Sequence, residues 1–422
     1  MAFVSRAVEE LGHLHQEPEW LRARRREAFD LYERLPLPSR SEEEWRRTDL
    51  RGLDLAAFEP FEQANGHAPS DPIEDTAGVL RQQGSEPGRV ELAAEVAARG
   101  VLFMPLSQAA REHPDLVRRH LFSEVAPGRD KLAALHAALF SGGTFLYVPD
   151  GVSIDRPLVS QFWSSRGGAA VLPHTLIVAG KGSSFSYVDE LLSPDLEHPA
   201  LTSGSVELFA GEGASVGFVS LQRWGAHAWQ FANQRVRLER EASVRLVHVG
   251  LGGRFSKNRI EAVLQGPGAN AELKALFFAS GGQFFDFHTL QSHVVGNTTS
   301  DLLFKGALTD RARSVYAGLI RIEPHAARSD AYQANRNLLL SDQARAHSIP
   351  MLEIQNNDVR CTHGATVAPV DPEHFFYLQS RGIPGAVVRR MLVHGFLGEV
   401  LDRIPVQQVR DLVEQELEAR IG

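Results

Sequence analysis

Apolar positions change their period twice along the chain. Early on, Trp20, Leu21, Ala28, Phe29, Leu31, Tyr32 and Leu35 recur at three- and four-residue spacing, which predicts a helix stopped by Pro36 and Pro38. Ser41 followed three residues later by Glu44 has the form of a capping box and predicts another helix start. Residues 66–88 are polar and rich in Gly, Pro, Asp and Gln, the composition of a loop or linker. Beyond it, residues 101–105 predict a short strand, and 109–121 and 131–140 predict helices. These elements define an N-terminal helical domain over residues 1–140.

From residue 141 the helical period gives way to short alternating segments divided by turn clusters. The turns resemble one another: Gly180-Lys181-Gly182-Ser183-Ser184, Gly211-Glu212-Gly213-Ala214-Ser215, Glu239-Arg240-Glu241-Ala242-Ser243, Gly266-Pro267-Gly268-Ala269-Asn270 and Gly296-Asn297-Thr298-Thr299-Ser300. Their first residues lie 31, 28, 27 and 30 positions apart. Alternation follows them, as in Ser215-Val216-Gly217-Phe218-Val219-Ser220-Leu221. A mainly β repeat of this length suits a solenoid of stacked coils, a β-helix, over residues 141–372; a large sandwich or barrel would satisfy the same signals. Helical spacing returns over residues 373–422. Val387, Met391, Leu392, Phe396, Val400, Leu401 and Ile404 form one apolar face, Pro405 suits a first helical turn, and residues 406–421 carry a second amphipathic pattern. Such helices cap a solenoid. Arg381, Arg389 and Arg390 beside Met391 and Phe396 would also make a mixed surface for docking a partner.

Composition adds exclusions. The 422 residues are 43% hydrophobic and 23% charged, with a net charge of −8, which suits a soluble protein of two or three domains. Arg22, Arg24, Arg25 and Arg26 lie between Glu19 and Glu27, so this run reads as a solvated helix face and not a nucleic-acid patch. The first seventeen residues are acidic by position 9 and lack a long apolar core, unlike a signal or transit peptide. No apolar run reaches the roughly 18 residues of a membrane span. The expected location is the cytoplasm.

Several motifs invite chemistry. Gly213-Ala214-Ser215-Val216-Gly217 matches G-x-S-x-G, but a nucleophile elbow needs a strand, turn and helix, whereas here a strand follows the turn. Val178-Ala179-Gly180-Lys181-Gly182-Ser183 falls short of a phosphate loop, so no ATP site is expected on this chain. His288 and His293, near Asp286, are five residues apart and fall on opposite faces of a strand. Asp301, Asp310, Glu323, Asp330 and Asp342 raise the alternative of a carbohydrate-binding or carbohydrate-cleaving β-helix protein, although no export signal accompanies them. The lone cysteine, Cys361, excludes an internal disulfide. On a strand it shares a face with His363, so a thiolate and an imidazole could address one metal. Two donors are too few for a structural zinc or an iron–sulfur cluster, and the remainder must come from elsewhere.

Long ordered motifs then narrow the field. Gly306-Ala307-Leu308-Thr309-Asp310, Val315-Tyr316-Ala317-Gly318, Asp330-Ala331-Tyr332-Gln333-Ala334-Asn335-Arg336-Asn337, Pro350-Met351-Leu352-Glu353-Ile354, Cys361-Thr362-His363-Gly364, Phe375-Phe376-Tyr377-Leu378, Ser380-Arg381-Gly382-Ile383 and His394-Gly395-Phe396 resemble the SufB/SufD family over residues 285–400. Glu17-Pro18-Glu19-Trp20-Leu21 and Glu43-Glu44-Trp45-Arg46-Arg47-Thr48-Asp49, with a single cysteine, resemble its SufD branch. The resemblance implies a right-handed parallel β-helix between two helical domains, in a non-catalytic scaffold subunit of the SufBCD iron–sulfur cluster assembly complex. It implies pairing with SufB through the C-terminal end of the β-helix, self-pairing in isolation, and docking of the ATPase SufC on the C-terminal helices around Arg381, Gly382, Ile383, Met391 and Phe396. By the same resemblance His363, and less securely Cys361, would ligate a transient cluster shared with SufB. ATP would act only through SufC, and FADH2 on the complex.

Overall fold

The computed structural model describes residues 3–62 and 73–421. The first predicted helix forms as Glu19–Arg34, with Leu21, Ala28 and Phe29 buried. Arg25 is buried with them, contrary to the expectation of a solvated arginine run. Its place four residues after Leu21 and four before Phe29 puts it on the inward stripe. There it donates to both carboxylate oxygens of Glu17 (2.6 and 2.7 Å) and to the carbonyls of Ala138 and Phe140. The capping-box expectation also changes. Glu43–Trp45 is a single 3-10 turn without a side-chain cap, and Glu44 reaches across to Arg259 on the β domain.

Residues 66–72 of the expected loop fall outside the described residues. Within its remainder, Gly78–Gln83 is a strand, paired with Arg89–Leu92 and Leu158–Trp163. Its polar sequence concealed it. Gln82 is buried, and its amide is satisfied by the carbonyls of Ser141 and Gly84 and by the N–H of Gly143.

Successive strands alternate between two ten-stranded sheets, so that each coil lays one strand on each. Within each sheet the long strands are parallel and stacked in register. Ser184 lies against Ser215, Ser215 against Ser243, Ser243 against Asn270, and Asn270 against Thr299. This is a parallel β-helix. The repeated turns account for its period: each contributes one residue of positive φ, namely Gly182, Gly213, Glu241, Gly268 and Asn297. The N–H of each bonds to the next turn, as from Gly182 to the Glu212 carbonyl (2.8 Å) and from Gly213 to that of Arg240 (2.8 Å). The small residue that follows, Ser183, Ala214, Ala242, Ala269 or Thr298, is buried. The turn thus needs a left-handed residue followed by a small one, which explains its Gly-rich signature.

The sheets enclose an apolar core that includes Phe218, Leu246, Leu273 and Phe304. Gly385–Leu401 and Gln407–Ile421 cover the outer face of one sheet, with Val393, Leu397, Val409 and Val413 packed over Val219, Val247, Leu276 and Leu303. On the outer face of the other sheet, Trp45 and Leu135 pack with Phe231 and Phe255. The two ends differ. At the N-terminal end the sheets finish in the short antiparallel strands Arg89–Leu92 and Leu102–Pro105; at the C-terminal end they finish in Arg345–Ile354 and Arg360–Pro369, both ten residues long.

One carboxyl interrupts the core. Asp189 is buried with the Tyr187 and Thr175 hydroxyls 3.3–3.4 Å away, and burial pushes its pKa up to about 7. Between about pH 4 and pH 7 the folded chain holds a proton that the unfolded chain has released. Asp189 therefore lowers stability as pH rises through that window, by up to about 4 kcal/mol. Asp189→Asn is expected to flatten this part of the profile. Urea unfolding at pH 5 and pH 8 measures it, and parallel profiles for the two proteins would refute the assignment.

Candidate functional site at the open end of the solenoid

Cys361 and His363 lie on Arg360–Pro369, the last strand of its sheet. Their parallel partners on the preceding coil are Ala331 and Gln333, which are fully buried. Register and alternation therefore direct both donors to the inward face, as their spacing predicts. No later coil covers them, so this inward face is open to solvent.

The two donors differ in readiness. Cys361 is half-buried and packs at the rim of a small cluster made by Ile320, Ile322, Ala326 and Ala331. Burial first, and the charge of Asp330 second, push its thiol pKa up, which favours the protonated form over the ligating thiolate. His363 is exposed and makes no hydrogen bond or ion pair among the described residues. Its imidazole is free for an incoming partner. No group of three or more His, Cys, Asp or Glu side chains suited to a metal occurs among the described residues.

The surroundings are apolar and strand-like. Leu352, Ile354 and Val367 on the two final strands are exposed, as is Tyr332 on the strand before. Exposed apolar strand edges of this length are templates for pairing with another chain, whereas the short antiparallel edges at the opposite end are blunted. Pro350, which lacks an N–H, is accommodated because its strand is an edge.

Next to this end stands the helix Pro372–Ser380, capped by Asp371 and with no buried residue. Phe376 is 71% and Tyr377 56% exposed, and both escaped the sequence reading as surface groups although their motif was visible. Arg381 stacks on Tyr377 (5.0 Å), Gly382 turns the chain with φ of 85°, and Ile383 is partly covered. Met391 is exposed. Phe396 instead faces the sheet: Lys305 lies 5.0 Å from its ring and bonds to its carbonyl.

Other sequence candidates have separate positions. His293 is inside the solenoid, bonded to Thr298 and Ser300, while His288 faces a cavity outside it. Asp301 pairs with Lys274, and Asp310 accepts the N–H of Gly281 in a turn. Ser215 of the G-x-S-x-G match opens a strand. No helix among the described residues is long and apolar enough to cross a membrane.

Comparison with known proteins agrees with this geometry. Residues 162–396 match the family described as SUF system FeS cluster assembly, SufBD core domain, and residues 89–159 match the SufBD protein N-terminal region. The chain is 30% identical to the iron–sulfur cluster assembly protein SufD of Bacillus subtilis, over 96% of its own length and 95% of the relative's. It is 27% identical to an iron–sulfur cluster assembly SufBD family protein of Staphylococcus epidermidis, over 98% and 93%. With its β-helix, its flanking helices and its open end carrying the C-x-H pair, the chain belongs to the SufBD family of iron–sulfur cluster assembly proteins.

Proposed function

We propose that this chain is a non-catalytic scaffold subunit whose open solenoid end forms half of a cluster-building site, the other half coming from SufB. One observation carries the reading: two soft donors lie on the inward face of a terminal strand that its own chain leaves uncovered. A cluster in transit is cargo, and it must be held without being sealed in. His363, exposed and unpartnered, is the donor best placed to hold it. Cys361, whose thiol is kept protonated, is the secondary donor. A thiolate from SufB would supply the sulfur ligation that this chain lacks. In the absence of SufB, the same edges favour pairing with a second copy of this chain.

The exposed aromatic helix supports docking of SufC beside this end, through Phe376, Tyr377, Arg381, Gly382, Ile383 and Met391, with Phe396 anchoring the neighbouring helix to the sheet. ATP then acts through SufC, and FADH2 serves as reductant on the assembled complex. Closure of the ATPase pair, transmitted through residues 381–404, opens the paired ends to iron and sulfur.

His363→Ala is expected to lower cluster yield on the reconstituted complex more than Cys361→Ala does, with both complexes intact by size exclusion. Unchanged yield in both variants would remove these residues from the site. Phe376→Ala and Tyr377→Ala are each expected to weaken SufC binding about tenfold or more while leaving the unfolding midpoint in place, because neither ring is buried. Unaltered affinity, measured by calorimetry, would move the docking surface elsewhere.

A further inference from the structure

The arginine run on the helix Glu19–Arg34 divides unequally. Arg22 pairs with Glu19, Arg25 with Glu17, and Arg26 with Glu9 and Glu19. Arg24 has no carboxylate partner among the described residues. Its Nη1 and Nη2 donate instead to the carbonyls of Leu121 and Arg118 (both 3.1 Å), at the C-terminal end of the helix Pro114–His120. These neutral carbonyls fix the guanidinium in place and leave its full charge uncompensated.

A cavity of about 390 Å³ lies beside these contacts, lined from both helices and from the turn that follows the second. Arg24, Arg118 and Arg119 all line it. The guanidinia of Arg118 and Arg24 also stack on the ring of Trp20 (4.8 and 5.4 Å), a contact that holds a cation without neutralising it. Arg119 is exposed and makes no side-chain hydrogen bond or ion pair among the described residues. Glu27 is the one acidic side chain among the described lining residues, and it is likewise exposed and unpaired. The lining therefore sets three positive charges against one negative, in a chain whose net charge is −8. Ala28, Leu31, Leu121, Phe122, Pro127 and Ala137 give the rest of the lining its apolar character.

We propose that this cavity binds a small phosphate monoester with an apolar body. Such a group carries about −1.5 to −2 at neutral pH, which matches the positive surplus of the lining, and its acceptor oxygens suit guanidinium donors. A carboxylate or a sulfate ester brings only a single charge to the same surplus. The volume falls in the range of small-molecule sites, roughly 300–1,000 Å³. Arg24, already held by two carbonyls and an indole, loses little freedom when a ligand arrives. The site belongs to the N-terminal region, apart from the strand that carries His363, and it does not rest on the scaffold reading.

Calorimetric titration of the full-length chain with phenyl phosphate is expected to show saturable binding at one site that weakens as salt is raised. Phenyl sulfate, close to it in shape but singly charged, should bind about fivefold more weakly. Arg119→Gln should weaken phenyl phosphate binding about fivefold and Arg24→Gln about tenfold, whereas Glu27→Gln should strengthen it. Arg119 and Glu27 are exposed and unbonded, so these two variants should keep the unfolding midpoint in place and carry the test even if Arg24→Gln fails to fold. Absence of saturable binding, equal affinity for phosphate and sulfate, or an affinity unchanged in both Arg119→Gln and Glu27→Gln would overturn the proposal.

Discussion

A coil of a parallel solenoid is protected only by the coil that follows it, and this constraint shapes both ends of the molecule. Every interior strand finds its hydrogen-bond partners one coil before and one coil after. At the N-terminal end the problem is met by short antiparallel strands. At the C-terminal end it is left unmet, with two ten-residue edges, exposed apolar side chains and an uncovered inward face. The position of Cys361 and His363 follows from it. Buried one coil earlier, they would be core residues like Ala331 and Gln333. On the last coil they are available to whatever completes the stack.

The N-terminal segment is held to the solenoid by charges taken out of water together. Lys257 and Asp286 are both buried, and Thr48 and Trp45 arrive from the segment to complete their surroundings. A buried pair of this kind is a poor source of net stability but a strict determinant of position, since either charge alone would be expensive. It sets the position of the segment against the outer sheet.

The coil period was legible because its cause is local: a left-handed residue followed by a small buried one at Gly182-Ser183, Gly213-Ala214 and Gly268-Ala269. Family motifs supplied the choice of a β-helix over a sandwich, which periodicity alone left open. The shared face of Cys361 and His363 was legible from their two-residue spacing, and the opposite faces of His288 and His293 from their five. Partners distant in sequence were not legible. Arg25 looked solvated because Glu17, Ala138 and Phe140, which satisfy it, converge only in the fold. Glu44 looked like a cap because its partner Arg259 is 215 positions away. Gly78–Gln83 looked like a loop because a buried glutamine satisfied by backbone is indistinguishable in sequence from an exposed one.

The central claim is that the uncovered end of this chain contributes an imidazole to a cluster otherwise held by its partner. Pulsed ENDOR on the cluster-bearing complex, reconstituted with only this subunit labelled with 15N-histidine, tests it most directly. The account predicts a 15N coupling to the cluster that disappears in His363→Ala. A cluster formed in good yield with no 15N coupling from this subunit would contradict it.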